Sequence, residues 1–230
     1  MEAADIRLSA EVEQRHWWYR ERRRIIAAEL RRLRPGRAIE IGAAAGANSA
    51  VLRDHGWHVL ATEYLAEGAE LARDRGLTAA RADARRLPVA DGSCDLFLAF
   101  DVLEHIEEDD QVTAEMFRVL RPGGTVLIAV PCDMALWSPH DVASGHVRRY
   151  TRETLTAVVE KAGLVIDELW SWNVLLRPLI AMRRKASTGN DVTKVNPIVN
   201  AGLAAVVAAE RYLPVRSLPG VSLMLRGRRP

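Results

Sequence analysis

Residues 37–47 read Arg-Ala-Ile-Glu-Ile-Gly-Ala-Ala-Ala-Gly-Ala, an apolar run carrying an acid that turns through two glycines toward a helix. A strand of this kind delivers Glu40 to the carboxyl end of a sheet. Gly42 and Gly46 then keep the backbone bare where a ligand approaches the N-terminus of the next helix. The loop has two glycines where the dinucleotide fingerprint has three. Alone it is compatible with a nucleoside-cofactor loop and with a plain strand-to-helix turn.

The segments that follow narrow the choice. His58–Glu63 reads as a second strand ending in an acid about 20 residues after Glu40, where a doubly wound sheet places its ribose-binding carboxylate. Ala80–Ala84 ends a third strand on Asp83, and Cys94–Asp101 ends a fourth on Asp101. Helices are expected at Ala47–Asp54, Ala66–Arg75, Asp109–Val119 and Thr151–Ala162, and this alternation implies a parallel sheet. Val165–Trp172 and Val221–Arg226 read as late strands around an apolar, alanine-rich helix from about Pro197 to Leu213. Upstream, Glu11–Leu33 reads as one helix, with Trp18, Ile25, Ile26, Leu30 and Leu33 on one side.

With these blocks in place the chain resembles the class I S-adenosylmethionine-dependent methyltransferases. The resemblance rests on Glu40-Ile-Gly-Ala-Ala-Ala-Gly46, on Glu63, on Asp83-Ala84 before Leu87-Pro88, on Asp91-Gly-Ser-Cys-Asp-Leu-Phe97, on Asp101-Val-Leu-Glu-His-Ile106 and on Glu115 to Ile128. One departure is Ala44, where the family commonly has glycine. The resemblance implies an α/β fold: a doubly wound, seven-stranded, mostly parallel Rossmann-like sheet with an antiparallel C-terminal hairpin and an added N-terminal helix. It implies one domain over residues 1–230, with a helical lid (1–35), a cofactor-binding core (36–164) and edge strands holding a helical insertion (165–230). The implied cofactor is S-adenosylmethionine, with S-adenosylhomocysteine as product. Its ligands in the core would be Glu40, Gly42, Gly46, Glu63, Tyr64, Asp83, Ala84, Asp101 and Val102.

The segment His16-Trp-Trp-Tyr-Arg-Glu-Arg-Arg-Arg24 has two readings. By resemblance it closes over the cofactor's methionine end, with Tyr19, Arg20 and Arg23 as candidates to meet its carboxylate, a task suited to arginine's planar fork. The other reading is an amphipathic helix with a basic outer face.

Pro131 to Thr151 holds Trp137, His140, Asp141, His146, Arg148, Arg149 and Tyr150, a concentration of functional side chains on the ligand-binding edge of an open sheet. His140 and His146 are the general-base candidates because imidazole titrates near neutral pH. Asp141 is an orienter or an alternative base, and Trp137, Arg148, Arg149 and Tyr150 are substrate candidates. The competing reading holds the loop together with His140–Asp141 hydrogen bonds and lets His146 and Arg149 pair structurally. His105 reads as structural, and no metal site is expected.

The function expected is methylation of a small-molecule acceptor, on oxygen. The alternatives are N-methylation of a small molecule or peptide, RNA methylation and a non-catalytic cofactor-binding scaffold. The fourth strand ends in Phe-Asp-Val-Leu-Glu-His and lacks the Asn/Asp-Pro-Pro-aromatic element of enzymes that methylate base amino groups, so nucleic acid is disfavoured as a partner. At 230 residues and 49% hydrophobic content the chain suffices for one large core. It shows neither an export signal nor a transmembrane segment, which points to the cytoplasm. Cys94 and Cys132 read as buried thiols. The net charge of +2 conceals a basic segment from Val174 to Pro230, with ten Lys/Arg against Asp191 and Glu210. Such a segment attracts anionic partners or forms a solvated face. A homodimer is the assembly kept open.

Overall fold

The computed structural model describes residues 3–186 and 195–230; Asp191 and Lys194 of the basic segment lie outside the described residues. In chain order the elements begin with α1 (Ala3–Val12), α2 (Trp17–Leu30), β1 (Arg37–Ile41), α3 (Ala47–Asp54), β2 (His58–Glu63), α4 (Ala66–Asp74), β3 (Thr78–Arg81) and β4 (Cys94–Phe100). They continue with α5 (Asp109–Val119), β5 (Leu120–Pro131), α6 (Pro139–Ala143), α7 (Arg152–Lys161), β6 (Val165–Trp172), α8 (Arg177–Ala186), α9 (Pro197–Ala209) and β7 (Ser222–Arg228). The seven strands form one sheet in the order β3-β2-β1-β4-β5-β7-β6. β1 to β5 are parallel, whereas β7 runs antiparallel between β5 and β6. The order in which strands are added reverses between β1 and β4, which places the carboxyl ends of these parallel strands at the crevice where such sheets bind ligands.

Strand periodicity builds the two sides of the sheet. In β4, Phe97 and Ala99 join one apolar cluster with α5 and α7, while Leu96, Leu98 and Phe100 join the other with α2, α3 and α9. β5 repeats the pattern, with Val126, Ile128 and Val130 on one face and Leu127 and Ala129 on the other. Both faces are covered, so the central strands read as continuous apolar runs. Cys94 and Cys132 are buried free thiols. Among the described residues no helix is long and apolar enough to cross a membrane.

The structure corrects several boundaries. The single helix expected over Glu11–Leu33 is two, because His16 adopts an extended backbone and caps α2, its Nδ1 accepting from the Trp18 amide at 3.3 Å. The adjacent tryptophans both find partners. Trp17 is buried and its amide donates to the Asn200 side chain of α9, while Trp18 packs on Trp172 with ring centroids 4.5 Å apart. β3 stops at Arg81, since Asp83 accepts from the Arg85 amide at 2.9 Å and turns the chain. The segment before α9 contains a further helix, α8, absent from the sequence expectation.

Candidate active site

A cleft of about 590 Å³ opens at the carboxyl ends of β1, β2 and β4, lined among others by Gly42, Ala44, Glu63, Tyr64, Asp83, Ala84, Asp101 and Val102. That volume lies in the range of small-molecule sites. Gly42 has φ +59°, and a Cβ there would stand 2.4 Å from Val102 Cγ2, so any other residue would bring both backbone strain and a clash that Val102 must relieve. Gly46, also left-handed, caps α3 behind the cleft, and its missing side chain makes room for Leu77. Ala44 takes φ +46° despite its Cβ. Its amide donates to Glu63 Oε2 at 2.9 Å, and Glu63 Oε1 accepts from the Tyr64 and Leu65 amides at 2.8 and 3.3 Å. This carboxylate thus ties the ends of β1 and β2 together at the cleft. Gly68 of α4, which sequence reasoning passed over, lets Glu63 lie where it does, since a Cβ at residue 68 would meet Glu63 Cγ at 2.6 Å.

Glu40 lies beneath the cleft and does not line it. It is buried and accepts hydrogen bonds from Asn48 Nδ2 at 3.1 Å and from Ser49 Oγ. Burial pushes its carboxyl from 4.5 up to about 7, against the pull of the Ser49 and Asn48 hydrogen bonds. The folded protein therefore holds a proton here that the unfolded chain has lost, and stability falls as pH rises from about 4.5 to about 7. Chemical denaturation across that interval should show a decline of up to roughly 3 kcal/mol from this group. Glu40→Gln should flatten it; an unchanged slope in the variant would assign the pH dependence elsewhere.

The N-terminal candidates separate. Tyr19 lines a second cavity and its hydroxyl donates to Ser9 Oγ at 3.3 Å. Arg20 is exposed on the outer side of α2, and Arg23 donates to the Glu13 carbonyl at 2.9 Å, fastening the turn between α1 and α2. The arginine that points inward is Arg22. Its guanidinium is buried, forms an ion pair with Asp101 and lies 5.0 Å over the Phe100 ring. The cue in the sequence was the four-residue repeat Trp18, Arg22, Ile26, which sets all three on the packed side of α2. From the N-terminal segment it is Ile6 of α1, 1% exposed, that reaches the cleft.

The second cavity, about 250 Å³, adjoins the first: Asp101 and His105 line both. Its wall includes Trp17, Trp18, Glu104, His140, His146 and, from α8, Ile180, Arg183 and Arg184. His146 Nδ1 faces Asp141 Oδ1 at 2.8 Å, an arrangement that directs Nε2 away from the carboxylate. Asp141 is fully buried and also accepts from Arg149 Nε at 2.8 Å, the Ser138 amide at 2.9 Å and Arg184 at 3.1 Å. Burial pushes the Asp141 carboxyl up, but the His146 hydrogen bond and the Arg149 charge outweigh it and hold the group below the ordinary range. His105 Nδ1 faces the Gly145 carbonyl at 3.2 Å, and its ring lies 4.7 Å from that of His146. Burial first, then the neighbouring His146 imidazole, push His105 down to about 4, so it is neutral at pH 7. His140 lies 6.4 Å from His146, ring to ring.

Other loop residues turn inward, away from this cavity. Arg149 has a side chain 0% exposed and spans Asp141 and the Cys132 carbonyl. Arg148 donates to Asp109 at 2.6 Å and to the Glu107 carbonyl, and buried Tyr150 donates to the same Asp109 oxygen at 2.7 Å. Trp137 is half-buried outside the lining of either cavity. The bridge between Cys132 and Tyr150 brings the two ends of the loop together, and that pairing turns these three side chains toward the body of the protein.

Asp83 lies at the cleft rim, held by Arg85, which also pairs with Glu108. The Arg85 hydrogen bond keeps its carboxyl below the ordinary range. Glu104, which sequence reasoning named only within a motif, is 1% exposed, and among the described residues neither carboxylate oxygen has a hydrogen-bond partner. Burial pushes it up to about 8.

Comparison with known proteins adds to this geometry. Residues 39–128 match a family model described as a methyltransferase domain. A Mycolicibacterium smegmatis protein named "Probable S-adenosylmethionine-dependent methyltransferase" is 29% identical over 161 residues, 66% of this chain and 61% of that protein. The chain therefore matches under two thirds of that relative's length. Among solved structures, the [4+2]-cyclase SpnF superposes with a TM-score of 0.62 at 24% identity, over 93% of this chain and 82% of that one. Haemonchus contortus phosphoethanolamine N-methyltransferase 2, in complex with S-adenosyl-L-methionine, superposes with a TM-score of 0.64 at 18% identity, over 91% and 52%. At these identities the superpositions establish the fold.

Proposed function

We propose that the chain, whose residues 39–128 match a methyltransferase-domain model, is a class I S-adenosylmethionine-dependent methyltransferase that methylates a small-molecule acceptor on oxygen, with S-adenosylmethionine as donor and S-adenosylhomocysteine as product. One observation carries this reading: the glycine-loop cleft and the histidine-lined cavity share Asp101 and His105 at the end of β4. A donor held over the first and an acceptor held in the second would meet there.

The residues fit the donor. The left-handed turn at Gly42 leaves the cleft floor bare, and Glu63 spends three of about four carboxylate lone-pair sites on backbone amides, keeping capacity for a ribose hydroxyl. Asp83 and Ala84 flank the side where the adenine belongs, with Tyr64 at the rim. When bound, S-adenosylmethionine supplies an electrophilic sulfonium methyl. The protein's own part is to align the acceptor and exclude water, for which Trp17 and Trp18 form an apolar wall. Oxygen is favoured because the imidazoles His140 and His146 line the acceptor cavity and can take the proton of a hydroxyl. His146 has its other nitrogen fixed by Asp141, which acts as a positioning residue.

Charge supports a small acceptor over nucleic acid. Several arginines of the basic segment are committed internally: Arg177 to Asp133, Arg184 to Asp141, Arg216 to Glu168 and Arg226 to Glu29. Both cavities are built within one chain, so the reading needs no second copy, and a cytoplasmic setting accords with the donor.

Calorimetry with S-adenosylhomocysteine tests the reading. The protein should bind it, and Glu63→Ala should weaken binding at least roughly tenfold, since charge-assisted bonds contribute about 1.5–3 kcal/mol each. Unchanged affinity in the variant would remove Glu63 from the site, and absence of binding by the parent protein would remove the function. Hydrogen exchange should further show α1, which brings Ile6 to the cleft, gaining protection on binding, with α2 protected throughout by its buried Ile26 and Leu30. Equal protection of α1 with and without ligand would rule out a cover that orders on binding.

A further inference from the structure

We propose that Glu104, His105 and His146 form a binding site for one divalent transition-metal ion in the wall of the histidine-lined cavity, a site the sequence expectation left out. Glu104 and His105 lie on the single turn of helix Leu103–His105 that follows β4, and His146 lies in the loop after α6. Each offers one ligand atom, and the three atoms lie within 4.8 Å of one another. Ligands at about 2.0–2.2 Å from a common ion would stand somewhat closer together than this, a difference within the reach of small side-chain rotations. Two imidazole nitrogens and one carboxylate oxygen suit Zn²⁺, Fe²⁺, Co²⁺ or Mn²⁺ rather than a thiolate-seeking or all-oxygen ion.

Two independent features point to a ligand. The first is Glu104. It is 1% exposed, and neither of its oxygens has a hydrogen-bond partner among the described residues. Burying a carboxylate in that condition is costly, and a bound cation supplies the missing partner. The charges of Arg22 and Arg149 attract Glu104, but neither donates a hydrogen bond to it: Arg22 is paired with Asp101 and Arg149 with Asp141.

The second is the attitude of the two rings. His146 turns Nδ1 to Asp141 Oδ1 at 2.8 Å, and His105 turns Nδ1 to the Gly145 carbonyl at 3.2 Å. Each is thereby fixed in the tautomer whose Nε2 carries the lone pair. Hydrogen bonding of the distal nitrogen to a carboxylate or carbonyl is how proteins orient ligating histidines. Asp141 is itself locked by Arg149 and Ser138, so the outer layer of the site is rigid.

Three protein ligands leave coordination positions open, and the cavity lies on that side. On the reading of this cavity as the acceptor site, an acceptor hydroxyl would take such a position and ionise more readily there. His146 would then hold the ion, and His140 would be left as the imidazole that receives the proton.

The test uses the full chain, stripped with a chelator, without S-adenosylmethionine. Titration with Co²⁺ is followed by visible absorption and titration with Zn²⁺ by calorimetry. One equivalent should bind. Glu104→Gln and His146→Ala should each weaken binding at least tenfold, and Asp141→Asn should weaken it about tenfold through the ring it orients. His58→Ala, at the far end of β2, should bind as the parent does. Circular dichroism certifies that each variant is folded, and Glu104→Gln conserves the volume of the side chain. Absence of stoichiometric binding, or binding unaltered in both Glu104→Gln and His146→Ala, would overturn the proposal. S-adenosylhomocysteine binding that persists in that case would leave the methyltransferase reading standing.

Discussion

Replacement of His146 by alanine is expected to lower the rate of S-adenosylhomocysteine formation by roughly 10²–10⁴-fold, while S-adenosylmethionine affinity stays near that of the parent protein. The separation follows from position. His146 lines the cavity beside the end of β4, whereas Gly42, Glu63 and Asp83 line the neighbouring cleft. The loss is expected whether the imidazole accepts a proton or holds an ion. Supply of small-molecule extract as the acceptor source and measurement of product by mass spectrometry would check it. Turnover near the parent rate in His146→Ala, and again in the double variant with His140→Ala, would leave alignment alone as the catalytic contribution.

Asp141→Ala should be the most damaging single substitution to the fold of this region, at about 3–5 kcal/mol. The carboxylate is the common partner of Arg149, Arg184 and His146, and the Arg149 side chain is 0% exposed. Its removal would leave a guanidinium buried without its counter-charge, a larger penalty than the pair itself is worth. Asp141→Asn keeps the shape and one acceptor oxygen and should cost less. Because the folded-state carboxyl titrates below its ordinary value of 3.8, its stabilisation is complete above that value and disappears as pH falls through the folded-state pKa. Urea denaturation at pH 7 and in mild acid measures both effects. Equal midpoints for parent and Asp141→Ala at pH 7 would show that Arg149 finds another partner.

The cleft at the carboxyl ends of β1, β2 and β4 was legible because it is written locally. Strands β1, β2 and β4 carry Glu40, Glu63 and Asp101 at or next to their carboxyl ends, and left-handed turns follow directly in the chain at Gly42 and Gly46. The histidine-lined cavity was legible only as a neighbourhood. Loop composition put His140, Asp141 and His146 together, yet it could not say that Arg148, Arg149 and Tyr150 would turn to Asp109, Asp141 and Cys132, because those partners are set by tertiary pairing. The same limit hid Arg22. Its partner Asp101 is remote in sequence, and adjacent arginines at 20 and 23 have identical chemistry but other helical directions. The break at His16 carries neither glycine nor proline, so helical periodicity ran straight across it. Glu104 was passed over because its most telling property, burial without a hydrogen bond to either carboxylate oxygen among the described residues, exists only in three dimensions.

The placement of β7 between β5 and β6 has a consequence for synthesis. About 50 residues separate the end of β6 from the start of β7, and translation at about 5–20 residues per second delivers the second several seconds after the first. Throughout that interval the nascent chain presents β5 with an unpaired, largely apolar edge over the seven residues that β7 later covers, Thr125–Pro131, and β6 has no neighbour on which to dock. An open edge of that length is a template for pairing with another chain. Yield from a crowded ribosome should therefore depend on how long that edge waits, with slower initiation and holdase chaperones favouring soluble product.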